Sequence, residues 1–211
     1  MCTQFTPASA EQIASSFNTR PPREDYGTLA FPGHLAPILR PAALHALQCD
    51  LAVFGLIPHW SKDGRNFRHC YNARSETAAE KPSFRRAWAQ RQWCAIPVDA
   101  FYEPCYETGR SVRWRIGSAQ QTPLLIAGLW DLWHAPDGHP VLSFTMLTRN
   151  ADDHPVMRRF HPADDEKRSV ILLEPETLDS WLGANAATAL EFMRPFAAQQ
   201  VVAQESPLPA R

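Results

Sequence analysis

Four runs of apolar or alternating residues crowd the stretch from 93 to 149, and they limit the fold more than any other feature of the chain. WCAIPVDAFYEP, VRWRI, LLIAGLWDLW and HPVLSFTMLTR each read as a strand. Gly109 and Pro136-Asp137-Gly138 supply the turns between them. Upstream, Leu35 to Arg40 and Leu51 to Pro58 have the same β-leaning look, and RSVILL reads as a further buried strand. Helical pattern is confined to short pieces. Ser9-x-x-Gln12 is a capping box ahead of Ile13, Ala14 and Phe17, Ser83 caps a helix running to about Arg91, and Ala151 to Phe160 reads as a short helix. Pro175 starts another through Trp181, and Asn185 caps a last one to Met193. Strands and helices do not alternate as βαβ units, and 19 prolines against 9 glycines favour short elements. The fold class is α+β: a barrel-like core of mostly antiparallel strands with flanking helices. With no repeat, linker or low-complexity block, residues 1–211 form one domain, and the tail from about 204 to 211 is expected to be flexible.

Charge and cysteine usage narrow the function classes. Lys and Arg number 21 against 22 Asp and Glu, so the chain is not a generally basic nucleic-acid binder. The distribution is less even than the total. Eight cations lie between Lys62 and Arg91, interleaved with Trp60, Phe67, Tyr71, Phe84 and Trp88. Cations that hold phosphates beside aromatics that stack bases suit single-stranded nucleic acid, although such a run also serves as a solvated face. The start of the chain lacks the basic patch and apolar run of a secretory signal, and no apolar run is long enough to span a membrane. Five scattered cysteines without a C-x-x-C pair favour reduced thiols in a cytosol.

Four elements carry groups capable of chemistry. Cys2 follows Met1, and removal of the methionine would leave a terminal cysteine with a free amine and a thiol. These titrate near about 7.7 and about 8.5, and together they condense with an aldehyde to an imine and then a five-membered thiazolidine. Asn72-Ala73-Arg74-Ser75-Glu76 lies in a long irregular segment, 59–82, and offers an amide, a guanidinium that forks onto phosphate, and a carboxylate. Asp99-Ala100-Phe101-Tyr102-Glu103-Pro104 places carboxylates in an apolar strand, where poor solvation raises a pKa and suits the group to proton transfer. Phe160-His161-Pro162 precedes the charged run Asp164 to Arg168. No G-x-S-x-G, Gly-rich phosphate loop or H-E-x-x-H occurs, and His69-Cys70 lacks the paired spacing of a zinc site.

Cys2, GLIPHW (55–60), NARSETAAEKPSFR (72–85), IPVDAFYEP (96–104), AGLWDLW (127–133) and FTMLT (144–148) together resemble the SRAP family, the SOS-response-associated peptidase-like proteins that shield abasic sites in single-stranded DNA. The resemblance runs from residue 2 to about 182. It implies a mature N-terminal Cys2 that cross-links to the abasic aldehyde, with Glu103 as the acid/base and Asn72 orienting the sugar and the terminus. Arg74 is implied as a phosphate ligand. His161 would assist the Schiff-base chemistry, with His154 as a competitor for that role. Arg85, Arg168, Trp60 and Pro32 complete the implied DNA contacts, the last two as a wedge at the lesion. The implied partner is single-stranded DNA with abasic sites, handled by a cytosolic monomer that needs no metal or cofactor, with replication-fork proteins as further partners. Two departures stand out. The family begins Met-Cys-Gly-Arg-Phe, whereas Thr3 and Gln4 stand here, so a phosphate-touching arginine is missing; and the histidine is followed by an insertion without Met-Pro, in which Arg168 replaces the motif arginine. An N-terminal-nucleophile amidohydrolase, with the Cys2 amine as base, and a plain single-stranded DNA binder are the alternatives.

Overall fold

A computed structural model describes residues 2–42 and 46–207. The frame is laid down by five strands: β2 (Leu35–Pro41), β3 (Leu47–Phe54), β5 (Trp93–Cys105) and the hairpin of β7 (Leu124–His134) with β8 (Pro140–Asn150). Neighbouring strands run β7-β8-β3-β2-β5, and β5 pairs back onto β7, which closes a five-stranded barrel. Closure removes the open edges an ordinary sheet must protect. All of these pairings are antiparallel except β3 with β8.

Two strands are long enough to serve more than one neighbour. The first half of β5 pairs with β7. Its second half, Ala100–Cys105, pairs with β6 (Val112–Ser118) on one side and with the short β1 (Gln4–Pro7) on the other. The far end of β8 takes β4 (Asn72–Arg74) in parallel and β9 (Arg168–Val170) in antiparallel register. This branching brings β1, β4 and the middle of β5 together. The strand β10 (Leu172–Leu173) adds to β7, and β11 (Val201–Glu205) adds to β6.

Aromatic packing fills the interior in two groups. Phe5, Phe54 and Phe144 pack together, the last two stacked at 5.3 Å, and Cys2 belongs to the same cluster. Trp93 sits between Trp88 and Trp181 at 5.0 and 4.9 Å, and the indole N–H groups of Trp93 and Trp181 donate to the carbonyls of Ala184 and Cys94. Such aromatic pairs add about 0.5–1.5 kcal/mol each beyond the area they bury.

Several expected boundaries shift for identifiable reasons. The second upstream strand starts at Leu47 and stops at Phe54 rather than spanning 51–58, because Gly55 turns the chain with φ +109°. A Cβ there would stand 2.3 Å from the Phe67 carbonyl oxygen, so the turn requires glycine. The helix expected over 151–160 is reduced to a 3-10 turn at Met157–Arg159. Its first turn is pre-empted by His154, whose Nδ1 accepts from the backbone N–H groups of Val156 and Met157. Ser83 does not cap the helix that follows it: α2 (Arg85–Ala89) begins at an uncapped Phe84. The Ser9 and Asn185 capping boxes both form, the first on α1 (Ala10–Phe17), the second on a short α4 (Ala186–Ala189) that passes into a 3-10 turn. After Pro175 a 3-10 turn leads into α3 (Leu178–Leu182). The segment expected as a loose tail begins inside β11, with Gln204 and Glu205 opposite Arg115 and Trp114, while 208–211 lie outside the described residues.

Candidate functional site

The site forms where β1, β4 and β5 meet. Register sets Gln4 opposite Tyr102, so the residues before β1 run towards the Glu103–Cys105 end of β5. Cys2 is buried there, 1% exposed, and its thiol donates to the carbonyl oxygen of Gln4 at 3.4 Å. From the other side, β4 presents Asn72, whose Nδ2 donates to the Cys2 carbonyl at 2.7 Å. The motif containing Asn72 is therefore a strand paired with β8, not a loop: main-chain pairing with Met146, Leu147 and Thr148 fixes the side chain's direction. Asn72 Oδ1 is buried and has no hydrogen-bond partner among the described residues.

Glu103 and His161 complete the cluster. Side chains alternate along β5, so Phe101, Glu103 and Cys105 all face the core while Tyr102 and Pro104 face outwards. Glu103 is 2% exposed. Burial raises its carboxyl to about 7. His161 is tied to the same strand by its backbone N–H, which donates to the Pro104 carbonyl, and by a bridge between Cys105 and Phe160. Its φ of +68° is unusual for a residue with a Cβ, and backbone strain of this kind collects at functional sites. The His161 Nε2 stands 3.4 Å from a Glu103 carboxyl oxygen. Burial lowers the imidazole to about 4, so at neutral pH the ring is uncharged and the contact joins an imidazole to a carboxyl group rather than two ions. The Cys2 thiol is pushed up to about 12 by burial and then by the negative charge of Glu103. Both effects keep it a thiol until a base takes its proton.

The remaining expected residues divide. His154 is structural: besides the two N–H groups it accepts, its Nε2 meets the Phe196 carbonyl at 2.9 Å. Arg168, expected to face the DNA, is turned into the protein. It lies on β9 at 3% exposure, and its guanidinium is held by Glu76, Glu166 and the Thr148 carbonyl, which ties β9 to the loop after β4. Arg74 is exposed beside it, paired with Glu166 at 3.1 Å. Arg85 is exposed on α2. Trp60 is 47% exposed, with its indole N–H on the Pro82 carbonyl, and Pro32 lies in the tight turn before β2 beside the exposed Phe31.

Sequence reasoning missed Lys167. An open cleft of about 550 Å³ runs up to His161 and is lined by Tyr106, Glu107, Arg158, Arg159 and Lys167. The Lys167 ammonium donates to the carbonyls of His161 and Pro162, while its neighbour Arg168 turns into the protein. Asp99, the other carboxylate of its motif, points outwards and pairs with Arg115 at 2.6 Å. Among the described residues no group of His, Cys, Asp and Glu could hold a metal ion, and no helix is long and apolar enough to cross a membrane.

Comparison with known proteins places this geometry. A crystal structure of a protein from Bordetella bronchiseptica superposes with a TM-score of 0.91 at 33% identity, covering 98% of this chain and all of that one. A second, from Bacteroides thetaiotaomicron, shares the fold with a TM-score of 0.80 at 20% identity, covering 97% of this chain and 91% of that one. Among curated proteins, the abasic site processing protein YoqW of Bacillus subtilis is 33% identical over 130 residues, 61% of this chain and 54% of its own length. The abasic site processing protein HMCES of Xenopus tropicalis is 27% identical over 150 residues, 61% of this chain and 43% of its own. The chain thus spans about half the length of the curated relatives it matches. The family model for SOS response associated peptidase (SRAP) matches residues 1–206, and the chain belongs to that family.

Proposed function

We propose that this protein captures abasic sites in single-stranded DNA as a covalent thiazolidine through Cys2, after removal of Met1. The observation that carries the reading is the convergence on one residue. Asn72 holds the Cys2 carbonyl, while a buried carboxyl of pKa about 7 sits close enough to the Cys2 thiol for its charge to raise the thiol's pKa. The names of the curated relatives, abasic site processing proteins, point the same way.

The chemistry balances without a cofactor. The Cys2 amine adds to the C1′ aldehyde of the ring-opened sugar, and the carbinolamine loses water to give an imine. The thiol sulfur then adds to the imine carbon, its proton passing to nitrogen, and the five-membered ring closes with no change in oxidation state. Each step moves a proton. A carboxyl half-protonated near pH 7 can give one to the departing hydroxyl and take one from the thiol. His161, neutral at that pH, is within reach to relay it. The buried Asn72 Oδ1 supplies an acceptor for the amine that would otherwise be left unsatisfied. In this reading Arg74, Lys167 and Arg85 supply charge for the phosphates, and Trp60 and Pro32 stack on or part the flanking bases. On this reading the protein works as a cytosolic monomer.

The test is incubation with a single-stranded oligonucleotide carrying one abasic site, followed by a denaturing gel and intact mass. A boiling-resistant adduct lacking the mass of Met1, and absent in Cys2→Ala, is expected. Amide turnover without DNA that is lost in Cys2→Ala would favour the hydrolase instead. DNA binding indifferent to Cys2, with no adduct, would leave a plain strand binder.

A further inference from the structure

A second polar cluster lies on the outward face of the same strands, and the chemistry just described does not use it. Gln4 follows Cys2 by two residues, about 7 Å along an extended chain. It is 8% exposed, and its Oε1 accepts from Arg113 Nε on β6 at 2.9 Å. The Arg113 guanidinium lies 3.5 Å over the Tyr102 ring, and its Nη1 donates to the carbonyl and hydroxyl of Ser206. Arg113 Nη2 makes no hydrogen bond among the described residues, and the buried Gln4 Nε2 has no partner there either.

Charge accounting separates Arg113 from its neighbours. Arg40, Arg115, Arg159 and Arg168 each meet a carboxylate. Arg113 meets only neutral oxygens and an aromatic face, so its full positive charge stands uncompensated among the described residues. The tyrosine face favours a cation and fixes the plane of the fork, and Gln4 fixes its rotation. An unsatisfied buried amide N–H is unfavourable, and an anion's oxygens would satisfy it together with the open arm of the guanidinium.

We propose that Arg113, aimed by Gln4, is a phosphate-contacting residue for the DNA backbone next to the sugar held at Cys2. The proposal rests on the DNA-binding reading above. The family's arginine at position 4 is absent from this chain, and the guanidinium is delivered instead from the facing strand β6. Gln4 is then a positioning residue.

The experiment measures non-covalent binding of a single-stranded oligonucleotide by the Cys2→Ala protein across a salt series, with and without Arg113→Gln. The expected result is about 3- to 10-fold weaker binding at low salt, and a slope of log affinity against log salt that is shallower by about 0.7, one phosphate contact on a single strand. Adding Gln4→Arg to Arg113→Gln should restore the slope, because a guanidinium then returns from the opposite strand. An unchanged slope overturns the proposal, whether affinity is kept or falls together with melting temperature; the latter would reduce Arg113 to a tie for Ser206. If the wild-type chain forms no covalent adduct yet the Arg113-dependent slope is present, the cross-linking reading fails and this one stands.

Discussion

Replacing Glu103 by glutamine should make the protein more stable at alkaline pH while disabling it. The native carboxyl holds its proton up to about 7, against 4.5 for an ordinary glutamate. At about 1.4 kcal/mol per pH unit, the difference corresponds to about 3 kcal/mol. The sign follows from where the proton sits. Glu103 contributes that stability while it is protonated in both states, below about pH 4.5. The contribution is withdrawn as pH rises to about 7, because the native state must then bury a charge. Glutamine keeps the shape and never ionises. Denaturant melts of the two proteins should therefore diverge between pH 5 and pH 8 by about 2–3 kcal/mol in favour of Glu103→Gln, roughly 5–10 °C in melting temperature for a chain of this size. His161, lowered to about 4, titrates below this window and adds little to the difference. Over the same range cross-link formation should fall by about 10² to 10⁴-fold, the usual contribution of a positioned acid–base group. Parallel stability curves from pH 5 to pH 8 would refute the reasoning, since the buried carboxyl would then not be the group that resists ionisation.

Two further outcomes follow from the arginines. Glu166→Gln frees Arg74 from its 3.1 Å partner; an exposed pair of this kind is worth about 0.2–1 kcal/mol, so strand affinity should rise by up to about 5-fold at low salt, and not at all in an Arg74→Ala background. Arg168→Ala should leave the salt slope of DNA binding unchanged but lower stability by about 1–3 kcal/mol in a denaturant melt, because it removes charge-assisted bonds joining β9 to Glu76, Glu166 and Thr148.

The strands of the barrel were legible because their apolar runs are long and their turns carry glycine or proline; β6, β7 and β8 fall within a few residues of the positions read from sequence. Closure was not legible, since nothing local in β5 says that its first half pairs with β7 and its second with β1 and β6. The same gap governs the site. Cys2, Asn72, Glu103 and His161 stand out by residue type and motif, yet only long-range pairing brings β1, β4 and β5 to one point. The burial of Arg168 was not legible, because the insertion after His161 obscures which of Lys167 and Arg168 faces inwards. His154 and His161 each precede a proline, so the local sequence separates them poorly, and the backbone groups around them differ.

Cys2 lies just ahead of a four-residue strand, β1, whose ladder partner is β5. On the proposed reading, a chain that has not docked this strand presents an amine and a thiol with ordinary pKa values, which condense with any small carbonyl compound the cell contains. Docking removes the residue from such encounters, at 1% exposure and with its thiol pushed up to about 12, and leaves it to a sugar delivered to Asn72, Glu103 and His161.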